Sequence, residues 1–268
     1  MSGSSGRWGD LKARLLSGIA MAAAGAVAVW LGGGVFTALA LVVTGLLVQE
    51  LAAMTTPGRP LRAWGLGLFA VAMLALVFWL HNPFMLVLLG LPSLVGLWRI
   101  GRERLVWLVY ALAMMLTGYG LVAIRAGLNP PAGMLALMWI IALVVASDVM
   151  GYFAGRLIGG PKFWPKVSPK KTWSGTIAGW IGAVVVGGLF MAFAGAAPQI
   201  LWLSPLLAFA GQLGDIAESW IKRRAGVKDS SNLIPGHGGV MDRFDALIGA
   251  VLMVLLIAQF GALPLVGE

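Results

Sequence analysis

The chain has 268 residues, of which 60% are apolar and only 11% charged, with a mean hydropathy of +0.92. A water-exposed surface needs roughly a quarter of its residues charged, so this composition excludes a soluble globular domain and points to a membrane protein. A net charge of +9 elsewhere suggests a nucleic-acid partner; in a membrane protein the placement of Lys and Arg carries the information, and no nucleic acid is expected.

The opening "MSGSSG" is low-complexity and is left out of the fold reasoning. A basic segment then leads into a small-residue apolar stretch. That pattern also resembles a signal peptide, but the eight apolar stretches that follow favour a retained first helix. Nine spans are expected, near 15–31, 34–54, 64–80, 83–98, 105–124, 133–154, 174–195, 200–221 and 244–263. The fold expected is therefore an all-α, polytopic membrane helical bundle of about nine transmembrane helices.

The basic residues orient it. With nine spans, Arg7, Lys12, Arg14, Arg59, Arg62, Arg99, Arg102, Arg104, Arg156 and Lys162 fall on one side. Lys166, Lys170, Lys171, Lys222, Arg223, Arg224, Lys228 and Arg243 join them, and Arg125 stands alone opposite. By the positive-inside rule the N-terminus is cytoplasmic and the C-terminus outside. A bacterial inner (plasma) membrane is the expected location.

Acidic residues number ten, and six lie between 148 and 245. Asp148 sits within the sixth span, where it shares a helical face with Gly151, Tyr152 and Gly155. Asp215 and Glu218 share a face of the eighth with Ser219 and Lys222. Asp229 precedes Asp242 and Asp245, which are three apart where the ninth helix begins. A carboxylate at membrane depth costs at least about 2.5 kcal/mol unless paired or hydrated, which makes each a functional candidate. The plainer alternative is that each acid pairs with a nearby Lys or Arg. Carboxylates converging from separate helices, in a chain without cysteine and with two histidines, suit a hard cation such as Mg²⁺. Glu50, at the end of the second span, either joins them or serves packing and capping.

The basic loops supply the complement. "KVSPKKTWSGT", residues 166–176, places Ser168, Lys170, Lys171 and Thr172 before the seventh helix, with Thr172 or Ser174 as N-cap. A helix N-terminus flanked by lysines favours phosphate, although basic loops also bind anionic headgroups. Acids able to hold a metal interleaved with bases able to hold phosphate are the parts that phosphoryl transfer needs. "IPGHGG", 234–239, permits close backbone approach to an anion, and His237 among its glycines reads as a structural donor rather than a ligand. No Walker A motif, HExxH or nucleophile elbow is present.

"SWIKRRAGVKDSSNLIPGHGGVMDRFD", residues 219–245, resembles the signature of the phosphatidate cytidylyltransferases, or CDP-diglyceride synthases, at every fixed position. "SDVMGYFAGRLIG" and "SPKKTWSG" resemble two further family stretches, although the second commonly has Glu where this chain has Ser174. The resemblance implies that CTP and phosphatidic acid give CDP-diacylglycerol and pyrophosphate, with Mg²⁺ required. It also implies a second, monovalent cation such as K⁺, and a homodimer among membrane lipids. On this reading Asp215, Asp242 and Asp245 bind metal, with Asp148 a weaker candidate. Lys170, Lys171, Lys222, Arg223, Lys228 and Arg243 hold phosphates, while Ser219 and His237 orient phosphate oxygens. Asp229 positions Lys228 or Arg223. The chain then divides into a cytoplasmic segment 1–14, N-terminal transmembrane helices 15–130 and a C-terminal catalytic transmembrane region 131–268. Rival readings are a CTP-dependent polyprenol kinase and, from a different class, an ion-coupled transporter.

Overall fold

The computed structural model describes residues 5–100, 103–127 and 131–261, with the side chains of 5–13 and 99 excepted. The chain is a polytopic helical membrane protein. Seven described helices are long and apolar enough to cross a membrane. The chain forms two compact units, Met1–Tyr119 with Arg224–Arg243, and Gly120–Arg223 with Phe244–Glu268.

In the first unit, α1 (Ser5–Leu31) and α2 (Gly33–Thr55) are separated at Gly32. Its φ of 61° with ψ of −152° is a conformation open essentially to glycine alone, so the expected break is enforced by the backbone. Helix α3 (Pro60–Leu80) packs on α2 through glycines. A β-carbon at Gly67 would sit 2.6 Å from the Gly45 carbonyl oxygen, the close approach that small residues allow inside a membrane.

The expected fourth span, 83–98, is broken in two. A 3₁₀ helix, Pro83–Gly90, leads into α4, Leu91–Arg99. Pro92 has no N–H to continue an α-helical ladder from the segment before it, and its ring crowds the preceding turn. Alone, the nine residues of α4 extend about 14 Å, well short of a hydrocarbon core. Helix α5 (Arg104–Gly127) locks α4 in place: Trp107 is fully buried, its ring occupies the space beside Gly96, and its Nε1 donates to the Ser93 carbonyl at 3.0 Å.

The second unit holds α6 (Ala132–Leu157), α7 (Trp173–Ala194), α8 (Ile200–Arg224) and most of α9 (Met241–Ile257). Helices α6 and α7 approach closely enough that a β-carbon at Gly175 would lie 2.6 Å from the Gly151 carbonyl oxygen. Trp139 of α6 is fully buried and donates to Ser204 Oγ of α8 at 2.9 Å. At Gly214 of α8 a side chain would collide with the backbone of α9 at Asp245. Helix α9 has 17 residues, roughly 25 Å, and ends before the expected limit of the ninth span.

Between α6 and α7 the structure adds an element that the all-α expectation did not contain. Strands β1 (Lys162–Trp164) and β2 (Ser168–Thr172) pair antiparallel, Lys162 with Thr172 and Trp164 with Ser168. Phe163, Trp164, Val167 and Thr172 favour extended backbone. Phe163 also packs edge-on against Trp173, with ring centroids 4.7 Å apart.

Candidate active site

The second unit gathers charge at the end of α8. Asp215, Glu218 and Asp245 each offer a carboxylate oxygen, and the three lie within 4.8 Å of one another. The first two are three residues apart on one face of α8, and Gly214 lets α9 approach so that Asp245 reaches them. Two lysines answer the negative charge. Lys171 Nζ, carried in by β2, is 2.5 Å from Asp215 Oδ2 and donates to the Gln212 carbonyl at 3.2 Å. Lys222 Nζ lies 2.6 Å from Glu218 Oε2, and the Glu218 side chain is wholly buried. Asp148, on an open face of α6, lies within the fields of Asp215 and Lys171.

Gln212 braces this cluster from below. Its amide donates to Ser147 Oγ at 3.1 Å and to the Thr176 carbonyl at 3.3 Å, while its Oε1 accepts from Trp180 Nε1 at 3.1 Å. One buried side chain thus ties α6, α7 and α8 together one helical turn before Asp215. Thr172 is the N-cap of α7, its Oγ1 accepting from the Gly175 N–H at 3.2 Å. Ser174 instead donates to the Gly159 carbonyl at 2.5 Å.

In the first unit the 225–240 loop folds around a tight turn. Pro235 and Gly236, with φ of 73° at the glycine, are closed by the His237 N–H donating to the Ile234 carbonyl at 2.9 Å. That is the residue pattern of a type II turn. His237 Nδ1 is 2.8 Å from Ser17 Oγ of α1, and the His237 carbonyl accepts from Arg243 Nε and Nη2 at 3.1 and 2.7 Å. Asp242 Oδ2 accepts from the N–H of Gly239 at 2.7 Å, and from the N–H and Oγ of Ser230, each at 3.0 Å. Glu50, fully buried in α2, accepts from Ser230 Oγ, Ser231 Oγ and the N–H groups of Val240 and Met241.

The sequence matches the model of the Cytidylyltransferase family over residues 12–260. The chain belongs to that family. Among similar proteins, one from Brucella abortus named "Phosphatidate cytidylyltransferase" is 45% identical over 139 residues, 51% of each chain. Proteins of the same name from Haemophilus influenzae and Pseudomonas aeruginosa are 35% identical over 201 and 195 residues. Those alignments cover 70% and 68% of this chain, and 62% and 66% of theirs. The chain thus spans about half the length of the first of these relatives and nearly two thirds of the others.

Within this member of the family the second unit brings Asp215, Asp245, Lys171 and Lys222 together, with Asp148 nearby. Ser219 Oγ lies 3.5 Å from Asp215 Oδ1, at the outer limit of a hydrogen bond. Ser168 and Lys170 lie in β2, Lys170 exposed, and Arg223 is exposed near the end of α8. In the loop, Lys228 and Asp229 are exposed. Arg243 donates to the His237 carbonyl within the loop, while the His237 ring lies against Ser17 of α1. Sequence reasoning grouped Glu218 with Asp215 but gave it no role, and it left Glu50 open. It passed over Gln212, Ser17, Ser230 and Ser231. Glu50 carried the plainest signal, a lone acid in an apolar stretch; the serines and Gln212 carried none without their partners.

Proposed function

We propose that the chain is a phosphatidate cytidylyltransferase, joining CTP and phosphatidic acid into CDP-diacylglycerol and pyrophosphate. The observation that carries this reading is the Asp215–Glu218–Asp245 cluster with its lysines, in a member of the Cytidylyltransferase family whose relatives bear that name. An oxygen of the phosphatidate phosphate attacks the α-phosphorus of CTP. The new P–O bond forms as the bridge to the β-phosphate breaks, and pyrophosphate leaves with the electron pair. The nucleophile is already anionic, so no strong general base is required. The demand is for charge neutralisation between two polyanions and for in-line placement.

The donor set fits a hard divalent ion. Three carboxylate oxygens spaced within 4.8 Å suit a small oxygen-seeking cation, and no thiol or imidazole stands among them. Asp215, Glu218 and Asp245 would hold Mg²⁺, which when bound would offset the charge of the triphosphate. The proposed metal role of Asp242 rests on the sequence signature alone. Lys171 and Lys222 would exchange their carboxylate partners for phosphate oxygens, and exposed Lys170 and Arg223 would add donors from the same unit. Exposed Lys228 extends the basic surface of the loop. The clustering of Lys and Arg in one set of loops supports a cytoplasmic site in a bacterial inner membrane.

The purified protein given CTP labelled at the α-phosphate, with phosphatidate and Mg²⁺, should place the label in lipid. Label entering lipid only from the γ-phosphate of CTP would instead support a CTP-dependent lipid kinase. No transfer from either position would refute the reading.

A further inference from the structure

We propose that Glu50 is the positioning residue of the 228–243 loop, acting from α2 to set the place of Asp242 and the start of α9; its bearing on turnover rests on the cytidylyltransferase reading above. The argument begins with burial. Glu50 has no exposed surface, and four donors from the loop and its junction with α9 lie within hydrogen-bond distance of its carboxylate, the Ser230 hydroxyl being shared with Asp242. Ser231 Oγ donates at 2.6 Å and the Val240 N–H at 2.9 Å, both to Oε1. The Met241 N–H donates at 2.7 Å to Oε2, and Ser230 Oγ lies 2.9 Å from the same oxygen. A buried carboxylate is costly unless so satisfied, and hydrogen bonds to charged groups are the stronger kind. Two of the donors are N–H groups where α9 begins, so the charge also meets the positive end of that helix.

The second link runs through Ser230. Its hydroxyl lies 2.9 Å from Glu50 Oε2 and 3.0 Å from Asp242 Oδ2, and its N–H donates to Asp242. Two carboxylates, one on α2 and one in the first turn of α9, are therefore spaced by a single serine. Gly239 completes the fit: a β-carbon there would lie 2.7 Å from both Glu50 oxygens and would collide with Ser230 Oγ. A larger residue at that position would have to displace the Ser230 and Glu50 oxygens that close the loop. Glu50 is wholly buried, so it acts through Asp242 and the loop backbone.

The test uses full-length protein in lipid nanodiscs, comparing wild type with Glu50→Gln. Glutamine keeps the shape but turns one acceptor oxygen into a donor facing donors. Amide exchange at Gly239, Val240 and Met241 should rise at least tenfold. Misplacement remote from the chemistry should lower kcat by about 10- to 100-fold, while KM for CTP and phosphatidate should stay within about threefold. Ser231→Ala should shift exchange and kcat in the same direction by less, and added to Glu50→Gln should cost less than the sum of the two single losses, because both changes act on the Ser231–Glu50 contact. Unchanged exchange, a normal kcat with raised exchange, or fully additive losses would each overturn the proposal. Should Glu50→Gln fail to insert, Ser231→Ala alone decides by the same two readouts. Were wild type to make no CDP-diacylglycerol, the functional reading would fall, and exchange would still decide whether Glu50 holds the loop.

Discussion

The Lys222–Glu218 pair sets a buried acid beside the proposed metal site. Glu218 is wholly buried, with Lys222 Nζ 2.6 Å away, and removing one partner of a buried ion pair typically costs about 3–5 kcal/mol. Lys222→Met should therefore lower the melting temperature in chelator. If Glu218 helps to hold Mg²⁺, added Mg²⁺ should restore much of that loss in a concentration-dependent way, since a ligand bound to the native state stabilises it. A thermal melt with Mg²⁺ titration checks this without any assay of turnover, and a melt indifferent to Mg²⁺ would count against the metal. Asp242→Asn should leave the protein inserted yet lower turnover at least about 100-fold, comparable to losing one oriented electrostatic partner. Its Oδ2 gathers three donors from Gly239 and Ser230, and an amide nitrogen there would face all three. The sequence exposed these acids because charge is rare in so apolar a chain. It did not show which lysine answers which acid, for Lys171 is brought to Asp215 by a strand pairing that no periodicity signals.

At the level of elements, the long helices were legible and the exceptions were not. Unbroken apolar runs announce spans through length alone, which is why α2, α3, α5, α6, α7 and α8 lie close to their expected positions. The fourth span failed because Pro92 interrupts hydrogen bonding locally while leaving hydropathy high. The hairpin failed because strands of three and five residues carry too few alternations to read. What positions Lys171 is the junction of that hairpin with α7, where Thr172 caps the helix. Thr172→Ala should cost about 1 kcal/mol of stability and raise KM for CTP as the β2–α7 corner loosens. Gly175→Leu should do far more, because its β-carbon would lie 2.6 Å from the Gly151 carbonyl oxygen, and forced overpacking typically costs about 1–3 kcal/mol or more. Thermal melts and CTP titrations of the two variants would rank them; equal, small effects would show that the α6–α7 contact tolerates separation.

For the molecule as a whole, orientation in the membrane is the claim that most needs a direct measurement, because the placement of the chemistry follows from it. The second unit offers the cleanest test. Helix α7 has 22 residues, about 33 Å by helical rise, enough to cross a hydrocarbon core. It runs from the lysine-rich hairpin at one end to the uncharged turn 195–199 at the other. Positive-inside logic puts the hairpin in the cytoplasm, where CTP is made available, and the turn outside. The chain contains no cysteine, so a single introduced thiol reports without background. Lys166 and Gln199 are both exposed, which makes Lys166→Cys and Gln199→Cys suitable probes. In intact cells an impermeant maleimide should label the cysteine at 199 and spare that at 166, and in inverted vesicles the order should reverse. Labelling of both from one side would mean that α7 does not cross the bilayer. The reverse pattern would place the Lys171–Asp215 cluster on the outer face, away from the nucleotide, and the proposed reaction could not proceed there.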